Sequence, residues 1–157
     1  MTGLRVNAPL PGRLIPLAQV PDPVFAAAML GPGVAIDPGT AARSNVLAPI
    51  DGVVAALHPH AVVLTPAALG EQADSQGVLV HLGIDTTRLR GAGFDLLVAQ
   101  GATVSTGQPL IAWSPAAVTT AGFSPIVPVI ALSADSADLT IRSATEVRAG
   151  DPIFDWR

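Results

Sequence analysis

Short apolar runs rich in Val, Ile and Leu alternate with turn residues along the whole chain, and this pattern predicts strands rather than helices. The candidate strands are Arg13 to Leu17, Val34 to Ile36, Gly52 to Leu57, Ala61 to Leu64, Val78 to His81, Pro109 to Trp113, Ile126 to Leu132, Ala137 to Ile141 and Pro152 to Trp156. Gly and Pro, 15 of each, are spread evenly between them, so few stretches longer than about ten residues are free to form an uninterrupted helix. Phe25 to Leu30 and Phe94 to Gln100 are the exceptions, each read as one or two helical turns. No linker or low-complexity segment divides the chain, and 157 residues suit one domain, 1–157, with one core.

Two internal repeats organise these strands. Ala8-Pro9-Leu10-Pro11-Gly12-Arg13-Leu14 matches Ala48-Pro49-Ile50-Asp51-Gly52-Val53-Val54, and Leu17 and Leu57 continue the match. Val104-Ser105-Thr106-Gly107-Gln108-Pro109-Leu110-Ile111-Ala112-Trp113 likewise matches Val147-Arg148-Ala149-Gly150-Asp151-Pro152-Ile153-Phe154-Asp155-Trp156. In the second pair, each half reads as a Gly-containing turn that leads into a strand ending in Trp. The expectation is an all-β, antiparallel sandwich built from a duplicated unit. The copies should pack face to face with approximate twofold symmetry, because neither alone buries enough surface.

Composition removes several classes of function. With no cysteine there is no disulfide, thiolate metal site or cysteine nucleophile on this sequence. A formal charge of −4 and only 13% charged residues, with Arg as the sole strong base, argue against nucleic acid as a partner. Hydrophobic content reaches 50%, yet Pro, Gly or a charge interrupts every apolar run before the roughly 20 residues that a spanning helix needs, so no membrane insertion is expected. The first residues lack the basic start and apolar core of a signal peptide, which makes a cytoplasmic address the default.

The candidate chemistry gathers around Gly77 to Phe94. The run Gly77-Val78-Leu79-Val80 leads straight into His81, and a Gly83-Ile84-Asp85 turn follows, so an imidazole is delivered at the end of a buried strand beside a tight bend. A lone histidine there often does no more than cap a core strand. This one has company in His58 and His60, which strand alternation would put on one face of a neighbouring strand, with Ala67 to Gly77 as the intervening loop. Two adjacent imidazoles permit zinc binding, general acid and base work, or nucleophilic attack by one while the other donates hydrogen bonds. No Gly-x-Ser-x-Gly elbow, dinucleotide loop or Walker sequence is present.

Val80-His81-Leu82-Gly83-Ile84-Asp85-Thr86, with Leu89-Arg90-Gly91-Ala92-Gly93-Phe94, resembles the signature of the glucose-type IIA component of the bacterial phosphoenolpyruvate-dependent sugar phosphotransferase system. Weaker pieces in the same order extend the resemblance over essentially the whole chain: Pro21-Asp22-Pro23-Val24-Phe25, Ala48-Pro49-Ile50-Asp51-Gly52, His60-Ala61 and Val104 to Ile111. The resemblance implies a barrel-sandwich hybrid fold that needs no cofactor, with His81 as phosphoryl acceptor and His60 as supporting histidine. It implies an apolar docking surface of Val24, Phe25 and Leu79, bordered by Asp22 and Asp85, which would face an Arg of a phosphohistidine carrier protein. Onward transfer would go to a IIB domain or IIBC permease whose cysteine lies on another polypeptide. Two features depart from the family's pattern: His58 stands where Thr is usual, and the loop after His60 is longer.

Two other classes fit the same residues. His58-x-His60 and His81-x-x-x-Asp85 are the ligand motifs of lysostaphin-like zinc hydrolases, in reverse chain order. A non-catalytic regulatory module would use the same apolar patch to bind other proteins.

Overall fold

The computed structural model describes residues 3–66 and 76–157, and among these the proline and glycine punctuation leaves fourteen strands, none longer than seven residues. All strand pairings are antiparallel. In chain order the strands are β1 (Leu4–Asn7), β2 (Gly12–Pro16), β3 (Gly33–Asp37), β4 (Ser44–Leu47), β5 (Gly52–His58), β6 (Ala61–Thr65), β7 (Val78–His81), β8 (Asp95–Leu96), β9 (Thr103–Val104), β10 (Pro109–Trp113), β11 (Val127–Ala131), β12 (Leu139–Ile141), β13 (Glu146–Val147) and β14 (Pro152–Trp156). An eight-stranded sheet runs β13-β2-β3-β11-β7-β6-β5-β9, and two three-stranded sheets run β1-β14-β12 and β4-β10-β8.

The repeats meet each other, as duplication predicts. The Asn7 amide donates to the Pro49 carbonyl at 3.0 Å, and the equivalent Leu47 amide donates to Pro9 at 2.8 Å. Ala8 exchanges hydrogen bonds with Asp151 and Gly150, and Ala48 does the same with Gln108 and Gly107. Leu4 of β1 lies opposite Trp156, and Ser44 of β4 lies opposite Trp113. Both tryptophans and most inward strand residues share one core.

The large sheet is covered on both faces, which is why β3, β7 and β11 are apolar at consecutive positions rather than at alternate ones. Val34, Ile36, Val78, Val80, Val127 and Val129 face the main core. Their neighbours Ala35, Leu79 and Ile130 face a second cluster closed over by Leu17, Val20 and Phe25. Phe25 sits on α1 (Pro23–Ala26), which starts with Pro at its first position and with the Asp22 carboxylate accepting from Val24 N at 2.8 Å.

Several expectations are corrected here. The helical turns placed at Phe25 to Leu30 begin earlier, at Pro23, and α1 ends at Ala26. Phe94 to Gln100 is not helical: Asp95 and Leu96 pair with Ala112 and Ile111. A helix absent from the expectation, α2 (Pro115–Thr120), is capped by the Ser114 hydroxyl. Residues 67–75, most of the loop expected after His60, lie outside the described residues.

Candidate functional site

The parity of β7 decides where His81 points. Val78 and Val80 face the main core, so Leu79 and His81 share the opposite face, over the second cluster. The Phe25 ring packs against the His81 imidazole with centroids 5.1 Å apart and planes tilted by 57°. His81 ends its strand half-buried, reachable from solvent on one side and walled by apolar groups on the other.

His60 arrives from the adjacent hairpin. It does not alternate with His58 along a strand as the sequence suggested, because β5 ends at His58, and Pro59-His60 form the turn before β6. The register nevertheless brings the rings together, since Ala61 lies opposite His81 and the Leu82 amide donates to the His60 carbonyl at 2.7 Å. The His60 and His81 centroids are 5.0 Å apart, edge to face at 71°, and His58 stacks on His60 at 5.8 Å and 29°.

The turn after His81 selects which nitrogen is free. His81 Nδ1 lies 2.7 Å from the Gly83 carbonyl oxygen. A carbonyl can only accept, so Nδ1 carries the proton and Nε2 keeps the in-plane lone pair. Gly83 adopts a φ of +81°, and a Cβ there would sit 2.6 Å from Thr86 Cγ2 and 2.9 Å from the Ser124 carbonyl, so only glycine fits the bend. Asp85 has a left-handed φ of 61° and is exposed.

Both imidazoles are held neutral. Burial, then repulsion from His81 and His58, pushes His60 down to about 4. Burial also lowers His81, against the Gly83 hydrogen bond and the carboxylates of Asp22 and Asp85, which favour its charged form. For a histidine lowered on folding, the unfolded chain binds more protons below its ordinary value of 6.5. Stability is therefore full above that pH and is lost as pH falls toward about 4. The melting temperature should drop between pH 7 and pH 5, with a slope of at most about 1.4 kcal/mol per pH unit for each group, and His60→Gln should flatten it. An equal slope in that variant would contradict the assignment.

Of the residues expected on a docking surface, Val24 is 39% exposed, whereas Phe25 and Leu79 are only 7% and 8% exposed. Phe25 and Leu79 thus form the apolar floor beside His81, whereas Val24, and Met29 and Leu30 in the turn after α1, where the Met29 amide donates to the Val24 carbonyl, are exposed apolar residues. Asp22 has a structural duty as the cap of α1, and its charge still reaches His81. Met29 and Leu30 were not singled out in the sequence, where a helical reading of Phe25 to Leu30 made them indistinguishable from core residues. Among the described residues, no group of three or more His, Asp or Glu is placed to hold a metal ion, so the ligand set of a zinc hydrolase is not assembled. Among them, too, no helix is long and apolar enough to cross a membrane.

Comparison with known proteins places this geometry in context. Residues 4–137 match the family model described as "phosphoenolpyruvate-dependent sugar phosphotransferase system, EIIA 1". The chain is 36% identical over 151 residues to a "PTS system glucose-specific EIIA component" from Oceanobacillus iheyensis, covering 94% of this chain and 86% of that protein. It is 34% identical over 150 residues to a "PTS system glucose-specific EIICBA component" from Staphylococcus carnosus, where it covers 95% of this chain but only 21% of the longer protein. Among solved structures, the glucose permease IIA from Mycoplasma capricolum superposes with a TM-score of 0.87 at 30% identity, covering 100% of this chain and 97% of that one.

Proposed function

The chain belongs to the EIIA 1 family of the phosphoenolpyruvate-dependent sugar phosphotransferase system, and from that premise we propose that His81 carries its phosphoryl group and His60 supports the transfer. The chain is a phosphocarrier of that system, of the all-β IIA fold, receiving phosphoryl groups from a histidine carrier and serving IIB and IIC partners. The observation that carries the assignment of His81 is the Nδ1–Gly83 hydrogen bond, which leaves Nε2 free beside the His60 ring.

The reaction exchanges one N–P bond for another. The Nε2 lone pair of His81 attacks the phosphorus of the carrier's phosphohistidine. The carrier's ring nitrogen leaves with the electron pair of the broken bond, and His81 Nδ1–H stays on the Gly83 carbonyl as charge builds on the ring. Phosphoryl transfer needs alignment and charge stabilisation more than covalent help from the protein. His60, neutral at pH 7, donates an N–H to a phosphoryl oxygen. The apolar floor of Phe25, Leu79 and Ala61 keeps water from attacking the same phosphorus. The acceptor cysteine of a IIB domain lies outside these 157 residues, which contain none.

We read residues 1–157 as one IIA domain with a cytoplasmic address, which suits a donor fed from phosphoenolpyruvate. We propose glucose or a glucoside as the sugar class carried by the partner permease, a reading supported by the glucose-specific and glucoside-specific names of its relatives.

In this reading the carrier docks on the apolar rise of Val24, Met29 and Leu30 and meets Asp22 and Asp85 at its edge. The apolar centre supplies affinity, and the carboxylates raise the association rate in a salt-sensitive way. In a binding titration with the carrier, Val24→Glu should weaken affinity at an unchanged melting temperature. Asp85→Asn, tolerated at a left-handed φ, should flatten the salt dependence. Phe25→Ala is a stability probe instead, costing about 3 kcal/mol or more for a buried ring. Unchanged affinity in Val24→Glu together with an unchanged salt response in Asp85→Asn would move the docking surface elsewhere.

A further inference from the structure

We propose that Thr86 is a positioning residue for the phosphoryl acceptor: its buried hydroxyl locks the Leu82–Gly83 turn so that the Gly83 carbonyl holds His81 with Nε2 free. This rests on the reading of His81 as the acceptor. Thr86 is the one polar side chain that is fully buried among the described residues, at 0% exposure. Its Oγ1 donates to the Leu82 carbonyl at 2.7 Å, one peptide before the carbonyl that receives His81 Nδ1–H. The rest of the turn is fastened on either side of that bond. The Leu82 amide goes to the His60 carbonyl, and the Ile84 amide goes to the Ser124 carbonyl at 2.9 Å.

The Leu82 carbonyl belongs to the Leu82–Gly83 peptide and the Gly83 carbonyl to the next one, and the two are hinged at Gly83, whose φ is +81°, so a rotation of the first that changes the Gly83 torsions turns the acceptor of His81 away from Nδ1. With the hydroxyl present, the Leu82 carbonyl is satisfied in a site closed to water, because Leu82 and Ile84 are themselves buried. Without it, that carbonyl has no donor, and the turn gains by rotating to find one. The Gly83 oxygen then moves off His81, the imidazole is free to carry its proton on Nε2, and that tautomer has no lone pair on Nε2, the nitrogen that faces His60 and attacks. Thr86 Cγ2 also fills the space that a Gly83 Cβ would take, so methyl and hydroxyl brace the same bend.

The experiment compares Thr86→Val, nearly isosteric but lacking the hydroxyl, with Thr86→Ser, which keeps it. Two readouts are taken: the His81 tautomer from nitrogen-15 NMR of the unphosphorylated protein, and the rate of His81 phosphorylation by the phosphorylated carrier. Wild type and Thr86→Ser should hold the Nδ1-protonated tautomer and react within about twofold of each other. Thr86→Val should show a substantial Nε2-protonated fraction and react roughly tenfold more slowly or worse, as expected for a misaligned reacting group. A wild-type tautomer and rate in Thr86→Val overturns the proposal, and so does equal impairment of both variants. Should Thr86→Val fail to fold, Thr86→Ser decides alone: a retained tautomer and rate support the role of the hydroxyl, and a change in either sinks it. The tautomer is read with no phosphoryl donor present, so failure of His81 as acceptor and failure of Thr86 as its support remain distinguishable.

Discussion

His81→Ala protein, incubated with phosphoenolpyruvate and the general phosphotransferase enzymes, should take up no label. The expectation follows from the geometry of a single nitrogen. His81 is the histidine whose Nδ1 is engaged at 2.7 Å by a backbone carbonyl, leaving Nε2 unprotonated. Alanine at the end of β7 leaves the ladder of Ala61 opposite position 81 intact and removes only a half-buried ring, so the fold should survive. A circular dichroism melt checks that, and label on the folded variant would show that another residue accepts.

His60→Gln should behave differently. It should still be phosphorylated on His81 but pass the group to the IIB partner about 10² times more slowly or worse, the usual effect of losing one positioned donor to a developing oxyanion. The physical reason lies in the state of His60 before the phosphoryl group arrives. Burial and two neighbouring imidazoles hold it at about 4, so it enters the reaction neutral, and a dianionic phosphoryl group on the His81 ring, whose centroid lies 5.0 Å from that of His60, would reverse that preference and draw a proton onto the His60 ring. Glutamine keeps a donor but cannot gain the charge. Unchanged onward transfer would make His60 a packing residue.

What the sequence disclosed follows from how local each signal is. β7 was legible to the residue, Val78 to His81, because the apolar run Val78-Leu79-Val80 leads straight into His81 just before the turn at Gly83. The duplicated halves were legible because repeated turn chemistry repeats the fold, down to the paired bonds of Asn7 with Pro49 and Leu47 with Pro9. β1 and β4 were missed: Leu4-Arg5-Val6-Asn7 and Ser44-Asn45-Val46-Leu47 are short and half polar, and become strands only by pairing with β14 and β10 far along the chain. Phe94 to Gln100 has the composition of a helix, but Leu96 opposite Ile111 and the Leu97 amide on the Leu110 carbonyl override it.

The candidate site was legible as a set of residues rather than as an arrangement. His60 and His81 stood out as neighbouring histidines at strand ends, the family resemblance added Asp22 and Asp85, and the ring centroids of His60 and His81 meet at 5.0 Å. That His60 stands in a hairpin turn, and that Phe25 and Leu79 form a floor while Val24 is presented, depend on the Leu17–Gln19 turn and α1 folding over the large sheet. No local pattern announces that closure. Thr86 stood in plain view in the Gly83-Ile84-Asp85-Thr86 stretch, yet its meaning lies in a bond back to Leu82 that only the turn reveals.

The most direct test of the central claim is a two-dimensional proton–phosphorus correlation spectrum of the wild-type protein after phosphorylation through the general enzymes. A phosphoryl group on Nε2 couples to both carbon-bound ring protons of its histidine, whereas one on Nδ1 has only Hε1 beside it. The predicted result is one phosphohistidine, with its phosphorus correlated to both ring protons of His81. Phosphorus correlated to Hε1 alone, or to the ring of His60 or His58, would contradict it.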